Sequence, residues 1–346
     1  MYWLIPFLAW LAIRLYGRKL RKHNKEHRKH LLAGLGHQED KTILGFFHPY
    51  CNAGGGGERV LWTAIAHIQR TRANVISVVY SGDTDATKQE ILAKVKSRFN
   101  IELDESHVDF VFLDSRHLVE DSAWPRFTLL GQSLASIWLA WEALTKLVPD
   151  LYIALLSFEK DHPAQLHAFQ KLLDENPQFK SDDNPRNGVR LVLIGGSRND
   201  GDRDRVTQLR GLAGELGVEP YVDFIVNAPY ATVLEWLSKA SIGLSTMQDE
   251  HFGINIVEYM AAGVIPVTHA SGGPLKDIVV PVDGKPSGFH ARTPAEFADA
   301  LKKVLSLSGE EELEMRRRAR QWAVQRFSEE EFEKGWDSCK WDRYLP

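Results

Sequence analysis

The sequence predicts an α/β protein made of two Rossmann-like domains in tandem. Apolar runs of strand length alternate with stretches of helical periodicity along most of the chain, the pattern of parallel, doubly wound sheets. A short strand, a glycine-rich turn and an amphipathic helix follow one another between Thr42 and Arg70, as at the opening of a nucleotide-type fold. The alternation restarts after Lys160 and again ends strands in glycine pairs. A chain of 346 residues has room for about two such domains, each with a sizeable core.

The first half is read in order. Thr42 to Phe47 is an apolar strand, and His48-Pro49 opens a loop that reaches Gly54-Gly55-Gly56-Gly57. Val60, Leu61, Ala64, Ile65 and Ile68 then recur at helical spacing, so Glu58 to Arg70 is an amphipathic helix. Four glycines leave no side chains in the way of a phosphate or a sugar. No Gly-Lys-Ser/Thr follows, which excludes a P-loop, and Arg59 stands where a dinucleotide fingerprint needs its third glycine. A flexible loop explains the glycines equally well when they are taken alone. Val75 to Tyr80 is the next strand, Thr87 to Phe99 a helix, Val108 to Leu113 a third strand and Leu151 to Phe158 a fourth apolar run. Leu129 to Leu147 is a long helix whose Ile137, Trp138, Trp141 and Leu144 are expected in the core.

In the second half, Pro163 to Leu173 and Arg203 to Leu216 are helices around the strand Arg190 to Ile194, which ends in Gly195-Gly196. Tyr221 to Val226 and Ser241 to Ser245 are strands separated by the helix Ala231 to Ala240. Val264 to Thr268 is a strand that runs into Ser271-Gly272-Gly273-Pro274. Asp202-x-Asp204 opens a helix and is read as N-terminal charge rather than as a metal motif.

The most informative stretch is Glu250-His251-Phe252-Gly253-Ile254-Asn255-Ile256-Val257-Glu258. His251 to Ile254 fall where a strand ends and a helix begins, and a helix N-terminus favours anions. Glu250 lies on the loop, and Glu258 lies within the helix, placed to accept hydrogen bonds from sugar hydroxyls. An acidic first turn is favourable in any helix, so the two carboxylates alone decide little. Joined with Gly195-Gly196 and Gly272-Gly273 at other strand ends, they point to a ligand site, since doubly wound sheets bind ligands at the carboxyl ends of their strands.

The formal net charge of −4 leaves no nucleic-acid footprint. Cys51 and Cys339 make neither a disulfide framework nor a zinc ribbon and suit a reducing compartment. Residues 1–30 depart from the average. Met1 to Ile13 is apolar or aromatic apart from Pro6, and Arg14 to Lys29 carries eight Lys and Arg and one acid, Glu26. This order, apolar then basic, is the reverse of a secretory signal. It predicts a membrane-anchoring helix with a cytosolic basic flank; over Met1 to Tyr16 it reaches roughly 24 Å, a little short of the ~30 Å hydrocarbon core. The expected domains are therefore an anchor and basic flank at 1–30, a shortened first domain at 31–157 and a second domain at 158–346.

Glu250-x7-Glu258, followed by Ala261-Ala262-Gly263 and Ser271-Gly272-Gly273-Pro274, resembles the retaining glycosyltransferases of family four, which have two Rossmann domains (GT-B type). Phe46-Phe47-His48-Pro49-Tyr50-Cys51-Asn52-Ala53-Gly54-Gly55-Gly56-Gly57-Glu58-Arg59-Val60-Leu61-Trp62 resembles the branch that transfers mannose in alpha-1,2 linkage from GDP-mannose to dolichol-pyrophosphate-linked oligosaccharide at the endoplasmic reticulum membrane. The resemblance implies that Gly54, Gly55, Gly56 and Gly57 approach donor and acceptor and that Lys160 holds the donor diphosphate. It implies that Glu250 contacts the transferring mannose, that the backbone of His251, Phe252, Gly253 and Ile254 cradles the diphosphate, and that Glu258 binds the ribose. Gly195 and Gly196 belong to the same donor site. GDP-mannose is then the donor, no metal is required, and other mannosyltransferases of the pathway are possible partners.

Two departures stand beside it. Ser157 occupies the place of an arginine in the family's Phe-Arg-Pro-Glu-Lys, and the family carries more than a hundred further residues after the equivalent of Ile153. Those departures keep open a catalytically silent membrane protein that binds sugar nucleotide or a partner transferase. A sugar-nucleotide epimerase of the two-Rossmann class is a third reading.

Overall fold

The computed structural model describes residues 22–48, 50–52, 56–119, 123–124, 128–154, 161–181, 184–197 and 200–344. The predicted anchor at Met1 to Ile13, Gly54, Gly55, Ser157 and Lys160 lie outside the described residues. Two compact units are formed: the described residues of Met1–Leu156 with those of Gly335–Pro346, and the described residues of Ser157–Lys334. Among the described residues no helix is long and apolar enough to cross a membrane.

The first unit is built on four parallel strands, β1 (Thr42–Phe47), β2 (Val75–Ser81), β3 (Val108–Phe112) and β4 (Leu151–Ala154), in the order β3-β2-β1-β4. β2 is buried at every residue, as its almost continuous apolar run requires of a strand covered on both faces. Helix α1 is described from residue 22 to residue 34, and α2 (Gly56–Thr71), α3 (Lys88–Phe99) and α4 (Thr128–Lys146) make the crossovers. The ends of α3 are set by side-chain chemistry. Thr87 and Glu90 form a reciprocal capping box, and Asn100 closes the helix at φ 56°. Arg28 holds α1 in place by bonding Asp40 Oδ1 at 3.0 Å and Asp150 Oδ2 at 2.9 Å, while the Ile43 N–H donates to the same Asp150 oxygen at 2.7 Å.

Two expectations are corrected in this unit. Ile137, Trp138, Trp141 and Leu144 of α4 face outward rather than into the core; Ile137 is 67 % exposed. The buried face of α4 is instead Ala135, Leu139, Ala143 and Leu147, and the last three join Leu32, Ile43, Ile76, Val78 and Tyr80 in one cluster. The bulkiest apolar side chains of the helix stand on its outward face and small ones on its inward face, so side-chain size pointed the wrong way. The second correction concerns the C-terminus. Gly335–Pro346, grouped with the second domain by its place in the chain, packs with the first unit. Trp336 stacks on Phe46 with ring centroids 6.4 Å apart, and Asp337 Oδ1 lies 3.0 Å from His67 Nε2.

The second unit contains β5 (Leu191–Gly195), β6 (Val222–Val226), β7 (Ile242–Ser245), β8 (Ile265–His269) and β9 (Phe289–Ala291). Its helices are α5 (His162–Glu175), α6 (Asp200–Glu215), α7 (Tyr230–Lys239), α8 (Ile254–Ala261), α9 (Pro294–Leu305) and α10 (Gly309–Phe327), and α11 (Glu329–Ser338) leads back to the first unit. The strands fall into two parallel sheets, β5-β6 and β7-β8-β9, and among the described residues no strand joins β5 to β7. Both sheets nevertheless contribute to one core. Leu166, Phe169, Leu172 and Leu173 of α5 pack with Phe297, Leu301 and Val304 of α9, with Ile265 and Val267 of β8, and with Leu191 and Leu193 of β5. β8 is buried from Ile265 to Thr268, whereas β5 is only half-buried over Leu191–Ile194.

The inversion of α4 is directly testable. Leu139→Ala should destabilise the chain by about 2–5 kcal/mol in denaturant unfolding, the range for removing a buried leucine side chain. Ile137→Ser should change stability by less than about 0.5 kcal/mol.

Candidate active site

The second unit gathers predicted residues where β7 and β8 end. β7 stops at Ser245, Thr246 and Met247 are buried, and the chain turns through Asp249, which takes φ 52°. Gly253 then caps α8 at φ 85°, ψ 57°, a conformation that side chains with a Cβ rarely adopt. A Cβ there would also stand 2.8 Å from Ile256 Cδ1 and 3.2 Å from Glu250 Cγ. The Glu250 side chain therefore folds back against the start of α8, and only 9 % of the residue is exposed. A carboxylate is favourable there because the helix end carries partial positive charge.

The loop after β8 holds this turn from the other side. The Gly273 N–H donates to the Glu250 carbonyl at 2.9 Å, and the Asp249 N–H donates to Ser271 Oγ at 2.7 Å. Ser271 Oγ is also 2.7 Å from His269 Nδ1. A Cβ on Gly272 would lie 2.2 Å from the Glu250 carbonyl oxygen, and one on Gly273 would lie 2.3 Å from that of His251. Gly272-Gly273 thus serve the protein's own backbone, letting two loops pack main chain against main chain. Past them, Pro274–Ile278 forms a wide π-type turn.

The other predicted residues are placed as follows. His251 and Phe252 are exposed; the Phe252 ring meets Phe327 edge-on at 5.6 Å, and Phe327 in turn contacts Trp322. Ile254 begins α8, and Glu258 lies one turn further along it, half-buried. Gly195 and Gly196 end β5, where Asn227 staples the turn. The Asn227 N–H donates to the Gly195 carbonyl at 2.9 Å, and its Oδ1 accepts the Ser197 N–H at 2.8 Å. Thr246 Oγ1 donates to the Asp161 carbonyl, and Asp161 caps α5 through the Ala164 N–H at 3.3 Å. Asn227 and Thr246 escaped the sequence analysis, and Ser271 was read there only as the start of the glycine loop. A positive φ suits an asparagine after a strand, which is the one local signal Asn227 offered.

In the first unit, Gly56 begins α2 and Gly57 is exposed at its first turn, above a buried Glu58. The nearest side chain to a Cβ at Gly57 would be His48, at 4.0 Å. His48 is 6 % exposed, its N–H donates to the Tyr80 carbonyl at 3.1 Å, and burial lowers its imidazole pKa to about 4 against the pull of Asp83. Asp83 organises this end of the sheet. It accepts the Asn52 N–H at 3.0 Å and Arg116 Nη1 at 2.7 Å, and the Arg116 guanidinium lies 4.7 Å from the centre of the Tyr50 ring. Buried Cys51 donates to Ser81 Oγ at 3.1 Å, and burial raises its thiol pKa, so it is no nucleophile.

Residues 150–322 match the family described as glycosyl transferases group 1, and residues 41–164 match the ALG11 mannosyltransferase N-terminus. A sucrose-phosphate synthase from Thermosynechococcus elongatus superposes with a TM-score of 0.53 at 12% identity, covering 88% of this chain and 99% of that one. The fold is accordingly α/β and GT-B-like, and the chain is a glycosyltransferase. It is 34% identical to the GDP-Man:Man(3)GlcNAc(2)-PP-Dol alpha-1,2-mannosyltransferase of Homo sapiens over 456 residues, 93% of this chain and 91% of the relative. It is 32% identical to the enzyme of that name from Dictyostelium discoideum, over 84% of this chain and 83% of the relative. The chain belongs to this family of alpha-1,2-mannosyltransferases. The span aligned with the human relative exceeds the chain's own 346 residues, so more than a hundred of its positions face no residue here.

Two outcomes are expected. Gly273→Ala forces the His251 carbonyl away and should weaken GDP binding about tenfold in calorimetric titration, with a stability loss of about 1–3 kcal/mol. His48 titrates below its ordinary 6.5 when folded, so the stability it contributes is complete above about pH 6.5 and is lost as the pH falls towards about 4. The thermal midpoint of the wild type should fall over that window more steeply than that of His48→Gln.

Proposed function

We propose that this chain transfers mannose from GDP-mannose, in alpha-1,2 linkage and with retention of configuration, to dolichol-pyrophosphate-linked oligosaccharide at the cytosolic face of the endoplasmic reticulum membrane. Its family membership and the printed activity of its relatives support this reading. The observation that carries it is the clasped turn at 249–254, which sets Glu250 against the start of α8. Glu250 is assigned to the transferring mannose, and the main chain of His251, Phe252, Gly253 and Ile254 to the diphosphate. A diphosphate leaving group builds negative charge as the glycosidic bond breaks, and helix N–H groups already aimed at it need no reorganisation. Glu258 is assigned to the ribose, Gly195-Gly196 to close approach of the donor, and Lys160 to a point charge on the diphosphate. Gly54, Gly55, Gly56 and Gly57 are assigned to approach of donor and acceptor. No metal is invoked, because the helix end and cationic side chains answer the leaving charge.

A second reading is a catalytically silent protein that retains donor binding. Ser157 in place of the family's arginine favours it, as do the aligned positions this chain lacks and the division of the second unit's strands into two sheets.

Purified protein in detergent, given GDP-mannose and a lipid-pyrophosphate trimannosyl acceptor, should form an alpha-1,2-mannosylated product. Glu250→Ala should lower the rate by about 10²–10³-fold. A chelator should leave it unchanged, and loss of activity on chelation would reinstate a metal. GDP-mannose binding without turnover would select the silent reading.

A further inference from the structure

Helix α4 turns an uncharged face to solvent. Leu134, Ile137, Trp138, Trp141 and Leu144 are 56, 67, 58, 45 and 36 % exposed, and the other exposed positions from 133 to 144 are Ser133, Ser136 and Ala140. The one charged residue on the helix between Gly131 and Thr145 is Glu142, turned to the protein. It accepts the Asp114 and Ser115 N–H groups at 2.8 and 2.9 Å, and Lys146 Nζ lies 2.7 Å from it. The opposite face already fills the core through Leu139, Ala143 and Leu147. More than a hundred positions of the human relative's alignment have no counterpart in this chain, and the alignment does not say what covers the helix.

The surroundings indicate what does. The C-terminal end of α4 is tied to α1: His27 Nδ1 lies 2.5 Å from the Lys146 carbonyl, and Asn24 exchanges hydrogen bonds with Val148 at 2.7 and 3.2 Å. Lys22, Lys25 and Lys29 are exposed on α1 at spacings that share a helix face. The apolar stretch Met1 to Ile13 lies just upstream in sequence. The residues between Ile13 and Lys22 can span at most about 30 Å. A membrane that takes up that stretch is therefore within reach of α4. Tryptophans concentrate at the headgroup level of a bilayer, and lysines next to an apolar helical face favour anionic lipid.

We propose that the exposed face of α4 docks into the interface of an anionic lipid bilayer, with the lysines of α1 among the headgroups. The helix lies in the plane of the interface rather than crossing the membrane, as its length and hydropathy require. It forms a second attachment, distinct from the N-terminal apolar stretch, and is independent of the transfer reaction proposed above.

The test uses the full chain with Cys339→Ser, which removes the exposed thiol, and Ile137→Cys carrying an environment-sensitive nitrobenzoxadiazole label. Vesicles are phosphatidylcholine alone or mixed about three to one with phosphatidylserine. Emission from the label should shift to the blue on the mixed vesicles and be quenched by lipids spin-labelled near the headgroup. In the labelled chain, Trp138→Ser with Trp141→Ser should lower that quenching about threefold while GDP binding is retained. A label that stays water-exposed on vesicle-bound protein would overturn the proposal, because the N-terminus alone would then hold the chain. A label shielded without lipid, in step with a concentration-dependent dimer, would overturn it in favour of a second copy. Unchanged quenching in the Trp138→Ser, Trp141→Ser chain would overturn it as well.

Discussion

The hydrogen bond from the Gly273 N–H to the Glu250 carbonyl is the contact on which the candidate site depends. It joins the loops after β7 and β8 main chain to main chain, and it forms only where no Cβ stands between them. Gly272 and Gly273 meet that condition, and the same clasp presses the Glu250 side chain against Gly253 at the start of α8. A buried carboxylate needs compensating charge or hydrogen bonds. Its position at a helix N-terminus supplies part of that compensation before any ligand arrives.

A corresponding arrangement governs the first unit, with side chains in place of main chain. Asp83 connects the residues after β1 to those after β2 and β3 by accepting from Asn52 and Arg116. His48 is buried beside the start of α2 and stays neutral at physiological pH, since charging it there would require desolvating an imidazolium. Both units thus place their polar residues at the carboxyl ends of parallel strands, where crossover topology leaves loops and helix starts together.

The apolar run Leu151 to Phe158 spans the boundary between the two units. Its first four residues form β4 beside β1, the last strand of the first unit's sheet. In the second unit β5-β6 and β7-β8-β9 share a core but no ladder among the described residues, and β5 remains half-buried. In the first unit, α4 keeps an outward apolar face. The outward face of α4 is the surface for which a lipid role is proposed.

Much of the fold was legible locally. Apolar runs of strand length, helical spacing of apolar residues and turn glycines located the parallel strands and their crossovers, because these signals act between residues a few positions apart. The residues of the clasped turn were legible for the same reason: Glu250, Gly253 and Gly272-Gly273 each mark a strand end or a helix start. Asn227 and Arg116 were not, nor were the contacts made by Ser271 and Asp83, since the partners lie 22 to 33 positions away. The inward face of α4 was misjudged because its bulkiest apolar side chains, Trp138 and Trp141, stand on the outward face while the small Ala135 and Ala143 are buried, and the return of residues 335–344 to the first unit has no sequence signal at all. The sequence by itself determined which segments are strands and helices and which residues can stand at their ends. Tertiary structure alone decided which faces are buried, which loops meet, and that Gly272-Gly273 serve the protein's own backbone, because those outcomes depend on volume and hydrogen-bond partners brought together from distant parts of the chain.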